Sequence, residues 1–136
     1  MNQIIISSHG KLASGMKNTL EYFGAKNIII IEQTVDESNF ENKIRKILRD
    51  NLQKNCIVFT DLLGGSVNQY FFKCLKDFKF HLITGMNLQM ILECVFKAED
   101  LSSQELLQII DASKQQCCYM NNLITADIKK GCNEND

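Results

Sequence analysis

Proline and tryptophan are both absent from this chain. Without proline, breaks in regular structure have to rest on glycine, asparagine and helix caps. Long apolar runs are missing too: the longest are four or five residues, as in Ile28 to Ile31. That is far below the length of a membrane span, and the N-terminus carries no charged-then-apolar signal pattern. Direct membrane insertion is therefore excluded, and the expected location is the cytoplasm. There is no basic block, and the net charge is −1, so nothing supplies an electrostatic footprint for nucleic acid. The two arginines, Arg45 and Arg49, lie one turn apart on an expected surface helix and read as a solvated face.

Cysteine is not scarce, but its spacing is uninformative for metal. Cys56, Cys74, Cys94, Cys117, Cys118 and Cys132 include no C-x-x-C pair with further ligands nearby. Several fall on faces expected to be buried, so reduced, structural thiols are the reading, with no metal and no cofactor. Flavin is disfavoured because tryptophan is absent and no Ser/Thr-rich phosphate loop follows the first strand.

What remains is an ordinary globular composition, 45% hydrophobic and 23% charged, in 136 residues. This suits one domain closing one core, set here as residues 1–128, followed by a polar tail over 129–136. Short β-type runs alternate with longer helical patterns, which predicts an α/β domain with a mainly parallel sheet. The strands are expected over Gln3 to Ser7, Asn27 to Glu32, Cys56 to Thr60 and Phe80 to Thr84. Tyr119 to Thr125 are a candidate for a fifth, antiparallel strand.

Helical spacing places Leu12, Met16, Leu20 and Phe23 on a first helix closed by Gly24. A second helix, capped by Asp36 or Ser38, carries Phe40, Ile44, Ile47 and Leu48. A third carries Val67, Tyr70, Phe71, Cys74 and Leu75, and a short fourth carries Leu88, Ile91, Leu92 and Val95. Ser102 and Glu105 form a capping box opening a last helix through Leu106, Leu107, Ile109 and Ile110.

In an open parallel sheet, ligands gather beyond the carboxyl ends of the strands where the strand order reverses. For a flavodoxin-like three-layer sandwich of order 2-1-3-4, that point lies between strands one and three. Strand one ends in Ser7-Ser8-His9-Gly10, and strand three ends in Thr60-Asp61, followed by Leu62-Leu63-Gly64-Gly65-Ser66. A neutral imidazole offers a ring nitrogen able to attack phosphorus. A carboxylate accepting from Nδ1–H leaves Nε2 as the nucleophile. Gly64, Gly65 and Ser66 would present backbone N–H groups at a helix N-terminus, suited to phosphoryl oxygens. Each feature alone has a bland alternative: a surface histidine, a capping aspartate, a glycine turn. His81, inside a strand, reads as packing, and the Cys117-Cys118 pair as structural.

These residues carry a family resemblance. Ile4-Ile5-Ile6-Ser7-Ser8-His9-Gly10, Thr60-Asp61-Leu62-Leu63-Gly64-Gly65-Ser66 and Ile83-Thr84-Gly85-Met86-Asn87-Leu88 resemble, in order and spacing from residue 3 to about 115, the mannose-family enzyme IIA domain of bacterial sugar phosphotransferase systems. The resemblance implies a phosphocarrier with no cofactor, phosphorylated on His9 by the histidine phosphocarrier HPr and passing the group to a cognate IIB protein. It implies Asp61 as the orienting carboxylate, a surround of Gly10, Gly64, Gly65, Ser66 and Asn87 near the phosphoryl group, and a homodimer. Val67 replaces a common proline of the family's glycine turn, Gln69 its asparagine, and Gln89 a proline after Gly-x-Asn-Leu. Two alternatives stay open: a phosphocarrier subunit feeding dihydroxyacetone kinase, and a non-catalytic regulatory module of flavodoxin-like fold.

Overall fold

A computed structural model describes residues 1–35 and 38–123. The chain runs β1 (Asn2–His9), α1 (Leu12–Tyr22), β2 (Ile29–Gln33), α2 (Phe40–Asp50), β3 (Asn55–Thr60), α3 (Ser66–Cys74), β4 (His81–Ile83), α4 (Leu88–Val95) and α5 (Ser103–Ser113), then a 3₁₀ turn over Lys114–Gln116. The four strands form one parallel sheet in the order β2-β1-β3-β4. β1 is central. Ile5 stands opposite Ile29 on one side and Val58 on the other, and Ser7 opposite Ile31 and Thr60.

Successive side chains of a strand point to opposite faces, and the three isoleucines of β1 divide accordingly. Ile4 and Ile6 pack with Ile57 and Phe59 against Ala13 and Leu20 of α1, Ile91 of α4 and Ile109 of α5. Ile5 packs with Val58 against Phe40 and Ile44 of α2 and Phe71 of α3. The result is the expected three-layer α/β sandwich, with β1 buried on both sides. Each such fully buried aliphatic side chain contributes about 1.5–3 kcal/mol relative to exposure.

Helix α1 ends as its sequence implies. Gly24, at φ +95°, donates to Glu21 O (2.9 Å) and Ala25 donates to Leu20 O (3.1 Å), the paired bonds of a Schellman cap. Its buried stripe is rotated from the expected one, however. Leu12 and Phe23 are exposed, while Ala13 is completely buried with Leu20. A small residue at position 13 lets the helix approach the sheet closely, which turns the 13-16-20 face inward. For the same reason of phase, α5 buries Leu106, Ile109 and Ser113 and leaves Leu107 exposed. Leu75, the residue that ends α3, also lies largely outside the core.

The start of α2 differs from the expectation. Its N-cap is Asn39, with no side-chain cap bond, so Ser38 lies outside the cap position, and Asp36 lies outside the described residues. Burial of Phe40 at the first turn fixes where this helix begins, and packing overrides the capping preference. Arg45 is more than a solvated charge. Its Nη1 lies 3.0 Å from Asp77 and its guanidinium sits over the Phe78 ring, tying α2 to the segment after α3. The capping box of α5 is present as expected, with Ser102 Oγ accepting from Glu105 N–H.

Tyr119–Thr125 does not begin as a strand. Residues 120–123 are helical, Asn122 N–H bonds Tyr119 O, and the backbone is thus satisfied locally; Thr125 and the tail over 129–136 lie outside the described residues. Cys56, Cys74 and Cys94 are buried free thiols, and burial with neighbouring Glu93 pushes Cys94 up to about 12. Cys117 and Cys118 are exposed, and Cys132 lies outside the described residues. Among the described residues, no helix is long and apolar enough to cross a membrane and no cluster suits a metal ion.

Candidate functional site

The last residue of β1 and the first residue after β3 meet at the carboxyl edge of the sheet. Strand register puts Ser7 beside Thr60, so His9, two residues further on, and Asp61, one residue further on, leave the same edge of the sheet close together. His9 Nδ1 lies 2.7 Å from Asp61 Oδ2, and the His9 backbone N–H donates to the same oxygen at 2.8 Å. Asp61 Oδ1 accepts from Leu62 N–H at 2.8 Å. An ionised carboxylate only accepts, so this geometry assigns the proton to Nδ1 and leaves Nε2 as the ring nitrogen facing outward.

The Asp61 side chain is 7% exposed and that of His9 43%, so the carboxylate is sheltered and the imidazole reachable. Burial opposes the ionisation of Asp61, but the His9 backbone N–H, the His9 ring and the Leu62 N–H together outweigh it and hold the carboxyl below its ordinary value.

The glycine turn brings α3 to the other ring nitrogen. His9 Nε2 lies 2.9 Å from Ser66 Oγ, the first residue of α3, and Ser66 Oγ lies 2.8 Å from Gln33 Oε1 at the end of β2. The turn is pinned from both sides: Gly64 N–H donates to Asn68 Oδ1 (3.3 Å), Gln69 Nε2 donates to Gly64 O (2.7 Å), and Asn68 Nδ2 donates to Thr60 Oγ1 (3.1 Å). Gly65 is the N-cap and has a close neighbour. A Cβ there would stand 3.3 Å from His9 Cε1 and 3.3 Å from both Leu62 Cβ and Leu62 O, so the absence of a side chain lets the ring lie against the turn.

The sheet's carboxyl edge receives the start of two helices near His9, and they are treated differently. At α1, Ala13 N–H bonds Ser8 Oγ and Ser14 N–H bonds Glu32 Oε2, both at 2.8 Å. At α3, Gly65 brings no capping side chain, and first-turn N–H groups have no partner inside their own helix. The positive end of α3 is therefore the one that remains for an anion. An open cavity of about 540 Å³ adjoins His9 on the β2 side, lined by Gly10, Lys11, Glu32, Gln33 and Val35.

Among the sequence candidates, His9, Asp61, Gly65 and Ser66 come together. Gly10 lines the cavity, but its N–H is bonded to Gln33 O (3.0 Å), and that of Gly65 to Leu62 O (3.1 Å). Asn87 is the N-cap of α4, its Oδ1 accepting from Met90 N–H at 2.8 Å, and among the described residues no hydrogen bond joins it to His9, Asp61 or Ser66. His81 sits half-buried in β4, where burial and Lys79 lower its pKa.

A family model described as the PTS system fructose IIA component, of the mannose type, matches residues 3–111. The chain belongs to this family. It is 25% identical over 124 residues to the sorbose-specific EIIA component of the phosphotransferase system of Klebsiella pneumoniae, covering 88% of this chain and 92% of that protein. Two crystal structures are similar along nearly their full length. One, described as a putative phosphoenolpyruvate-dependent sugar phosphotransferase system permease from Klebsiella pneumoniae, has a TM-score of 0.79 and 28% identity, covering 90% of this chain and 93% of that one. The other, a phosphotransferase system EIIA component from Streptococcus agalactiae, has a TM-score of 0.73 and 25% identity, covering 90% and 99%.

As a mannose-type IIA component, the protein is a phosphocarrier of a sugar transport system and a phosphotransferase in the general sense. Two residues of its site, Gln33 and Asn68, escaped the sequence reading, and Gln69 entered it only as a departure from the family's asparagine. Gln33 was hidden because β2 runs one residue past its expected end, although the carboxyl end of the strand next to β1 is where such a residue belongs. Asn68 and Gln69 look like ordinary helix-surface residues. Only the fold shows that they hold the turn, and that Gln69, at the family's asparagine position, bonds Gly64.

Proposed function

We propose that this IIA component accepts a phosphoryl group on His9 Nε2 from the phosphohistidine of HPr, in the cytoplasm, and passes it to a cognate IIB protein. The observation that carries the reading is the 2.7 Å contact between His9 Nδ1 and Asp61 Oδ2, which keeps a proton on Nδ1 and leaves Nε2 as the nitrogen that reacts when it is unprotonated. In the transfer, the P–N bond of the donor breaks as the bond from Nε2 to phosphorus forms, with no net change in protons. Positive charge developing on the ring is stabilised by Asp61. The three phosphoryl oxygens lie toward the uncapped first turn of α3, with Ser66 turning its hydroxyl from Gln33 to the phosphoryl group.

Phosphoryl transfer has a loose transition state, so positioning and N–H donors provide most of the catalysis. Lys11 is the cation that lines the adjoining cavity, opposed there by Glu32. A site with so little fixed positive charge holds phosphate weakly, as a carrier must in order to release it. Assembly as a homodimer belongs to the same reading and is supported by the family alone.

The test is phosphorylation by phosphoenolpyruvate and the general phosphotransferase proteins, with and without His9→Ala. The expected result is one acid-labile phosphate in the parent protein, chased by IIB, and none in the variant. Acid-labile phosphate retained by His9→Ala would reject the site.

A further inference from the structure

We propose that Gln33 is a positioning residue which, acting through the Ser66 hydroxyl, sets whether His9 Nε2 carries a proton or a free lone pair. The inference rests on the reading above only in taking Nε2 as the phosphoryl acceptor; the proton relay itself is independent of it.

The hydroxyl of Ser66 has one hydrogen and stands between two partners, Gln33 Oε1 at 2.8 Å and His9 Nε2 at 2.9 Å. With a carboxamide oxygen on one side, the hydrogen points to Gln33, because Oε1 only accepts. Ser66 then has only lone pairs to offer His9, and a short contact with Nε2 is favourable when Nε2 carries hydrogen. Nδ1 already donates to Asp61. A chain running from Nε2–H to Ser66 and from Ser66 O–H to Gln33 Oε1 fits these heavy-atom positions, and it is the hydrogen-bond pattern of the doubly protonated ring, in which the nucleophile is masked.

The neutral ring requires the opposite direction. When the Gln33 carboxamide turns its NH₂ toward Ser66, the hydroxyl accepts from Gln33 and donates to the Nε2 lone pair. When an incoming phosphoryl group takes the Ser66 hydroxyl, the lone pair is released. A carboxamide can supply either pattern by rotating half a turn, and the accepting orientation present here favours hydrogen on Nε2, so position 33 couples proton occupancy at Nε2 to the orientation of Ser66.

The β1–β2 register supports a built arrangement. His9 pairs with Gln33 across the strands, and Gly10 N–H bonds Gln33 O at 3.0 Å, which holds the backbone of position 33 against the site. The charged groups facing His9 are Asp61 from the end of β3, Glu32 from β2 and Lys11 from the turn into α1, and the first turn of α3 carries no charged side chain. None of these charged groups bonds Ser66 among the described residues, so the hydroxyl answers to Gln33.

The test follows the ring nitrogens of His9 by ¹⁵N NMR as a function of pH in the unphosphorylated protein. It compares the parent with Gln33→Met, close in shape but unable to accept or donate, and Gln33→Glu, which only accepts. Loss of one net hydrogen bond is worth about a three- to tenfold change in an equilibrium. Gln33→Met is expected to lower the ratio of protonated to free Nε2 by that factor at a given pH, and Gln33→Glu to raise it. In a Ser66→Ala background the Gln33→Met effect should disappear, whereas a through-space charge effect of Gln33→Glu survives. The acid limb of the HPr-dependent phosphorylation rate should move to lower pH in Gln33→Met; a merely structural role would scale the rate equally at every pH.

Coincident Nε2 titrations of the parent and Gln33→Met would overturn the proposal, as would an undiminished Gln33→Met effect with Ser66 removed. An Nε2 response of the expected sign in a protein that takes no phosphate would uphold the relay and reject the phosphocarrier reading, so the two failures are distinct.

Discussion

Asp61 grips His9 twice through one atom: Oδ2 accepts both the backbone N–H, at 2.8 Å, and ring Nδ1, at 2.7 Å. The main chain and the side chain of the nucleophile are thereby referenced to the same oxygen, while Oδ1 is committed to Leu62 N–H. Three N–H groups thus converge on two acceptor oxygens. A carboxamide has one acceptor oxygen and one NH₂, so Asp61→Asn leaves either the His9 pair or Leu62 facing a donor. We expect the variant to fold and to slow phosphoryl uptake on the order of 100-fold, the low end of what a positioned acid–base group contributes. Rapid-mixing measurement of phosphate incorporation checks this, and parent-like kinetics would remove the orienting role.

The same carboxylate links stability to pH. Its pKa is lowered on folding from the ordinary 3.8, because the His9 and Leu62 N–H groups overcome the penalty of burial. A group depressed in the folded state stabilises that state above its unfolded pKa and loses the contribution as pH falls through the folded one. Stability from Asp61 is therefore fully present near neutrality and declines as pH drops below about 4. Urea titrations between pH 7 and the acid limit should show a shallower acid decline in Asp61→Asn than in the parent; equal slopes would contradict the linkage.

The strands, their parallel order and the meeting of His9 with Asp61 were legible because each follows from a local pattern plus one topological rule. Three isoleucines too few for a helix make a central strand, and the switch point fixes which strand ends adjoin. Helix phase was less legible. Leu12 and Phe23 fit the apolar spacing as well as Ala13 does, and only the closeness of α1 to the sheet selects the smaller residue. Ser38 lost the cap of α2 to the burial of Phe40. Gln33 was invisible for another reason: a polar residue at a strand end carries no periodic signal, and its partner, Ser66, is distant in sequence. What the sequence conceals is the direction of hydrogen bonds between loops, which depends on tenths of an ångström.

Gly65 offers a test of such fine positioning. Its φ of −67° is available to any residue, so backbone strain is not the issue. An added Cβ would press on His9 Cε1 at 3.3 Å, and the ring, being half-exposed, would move before the Leu62 backbone does. We expect Gly65→Ala to change unfolding free energy by less than about 1 kcal/mol while lowering the phosphorylation rate roughly tenfold, because small displacements of a reacting atom weigh heavily on rate. Urea titration and transfer kinetics on the same preparation separate the two quantities. A large loss of stability with an unaltered rate per folded molecule would show that the ring does not yield.

Asn87 gives the last case, since its place in the fold is the start of α4. Its Oδ1 takes the Met90 N–H at 2.8 Å, while Met86 N–H, one residue earlier, bonds Thr60 O at 3.1 Å and joins the loop to the end of β3. The cap thus holds both the helix and the loop beside the strand that delivers Asp61. Removing a capping side chain costs about 1 kcal/mol, and aspartate replaces asparagine well in this role because its carboxylate also favours a helix N-terminus. Asn87→Ala should lower the urea midpoint by an amount equivalent to about 1 kcal/mol, and Asn87→Asp should restore most of it. An alanine variant as stable as the parent would mean that water replaces the cap without loss and that α4 is held by Met90, Ile91 and Cys94 alone.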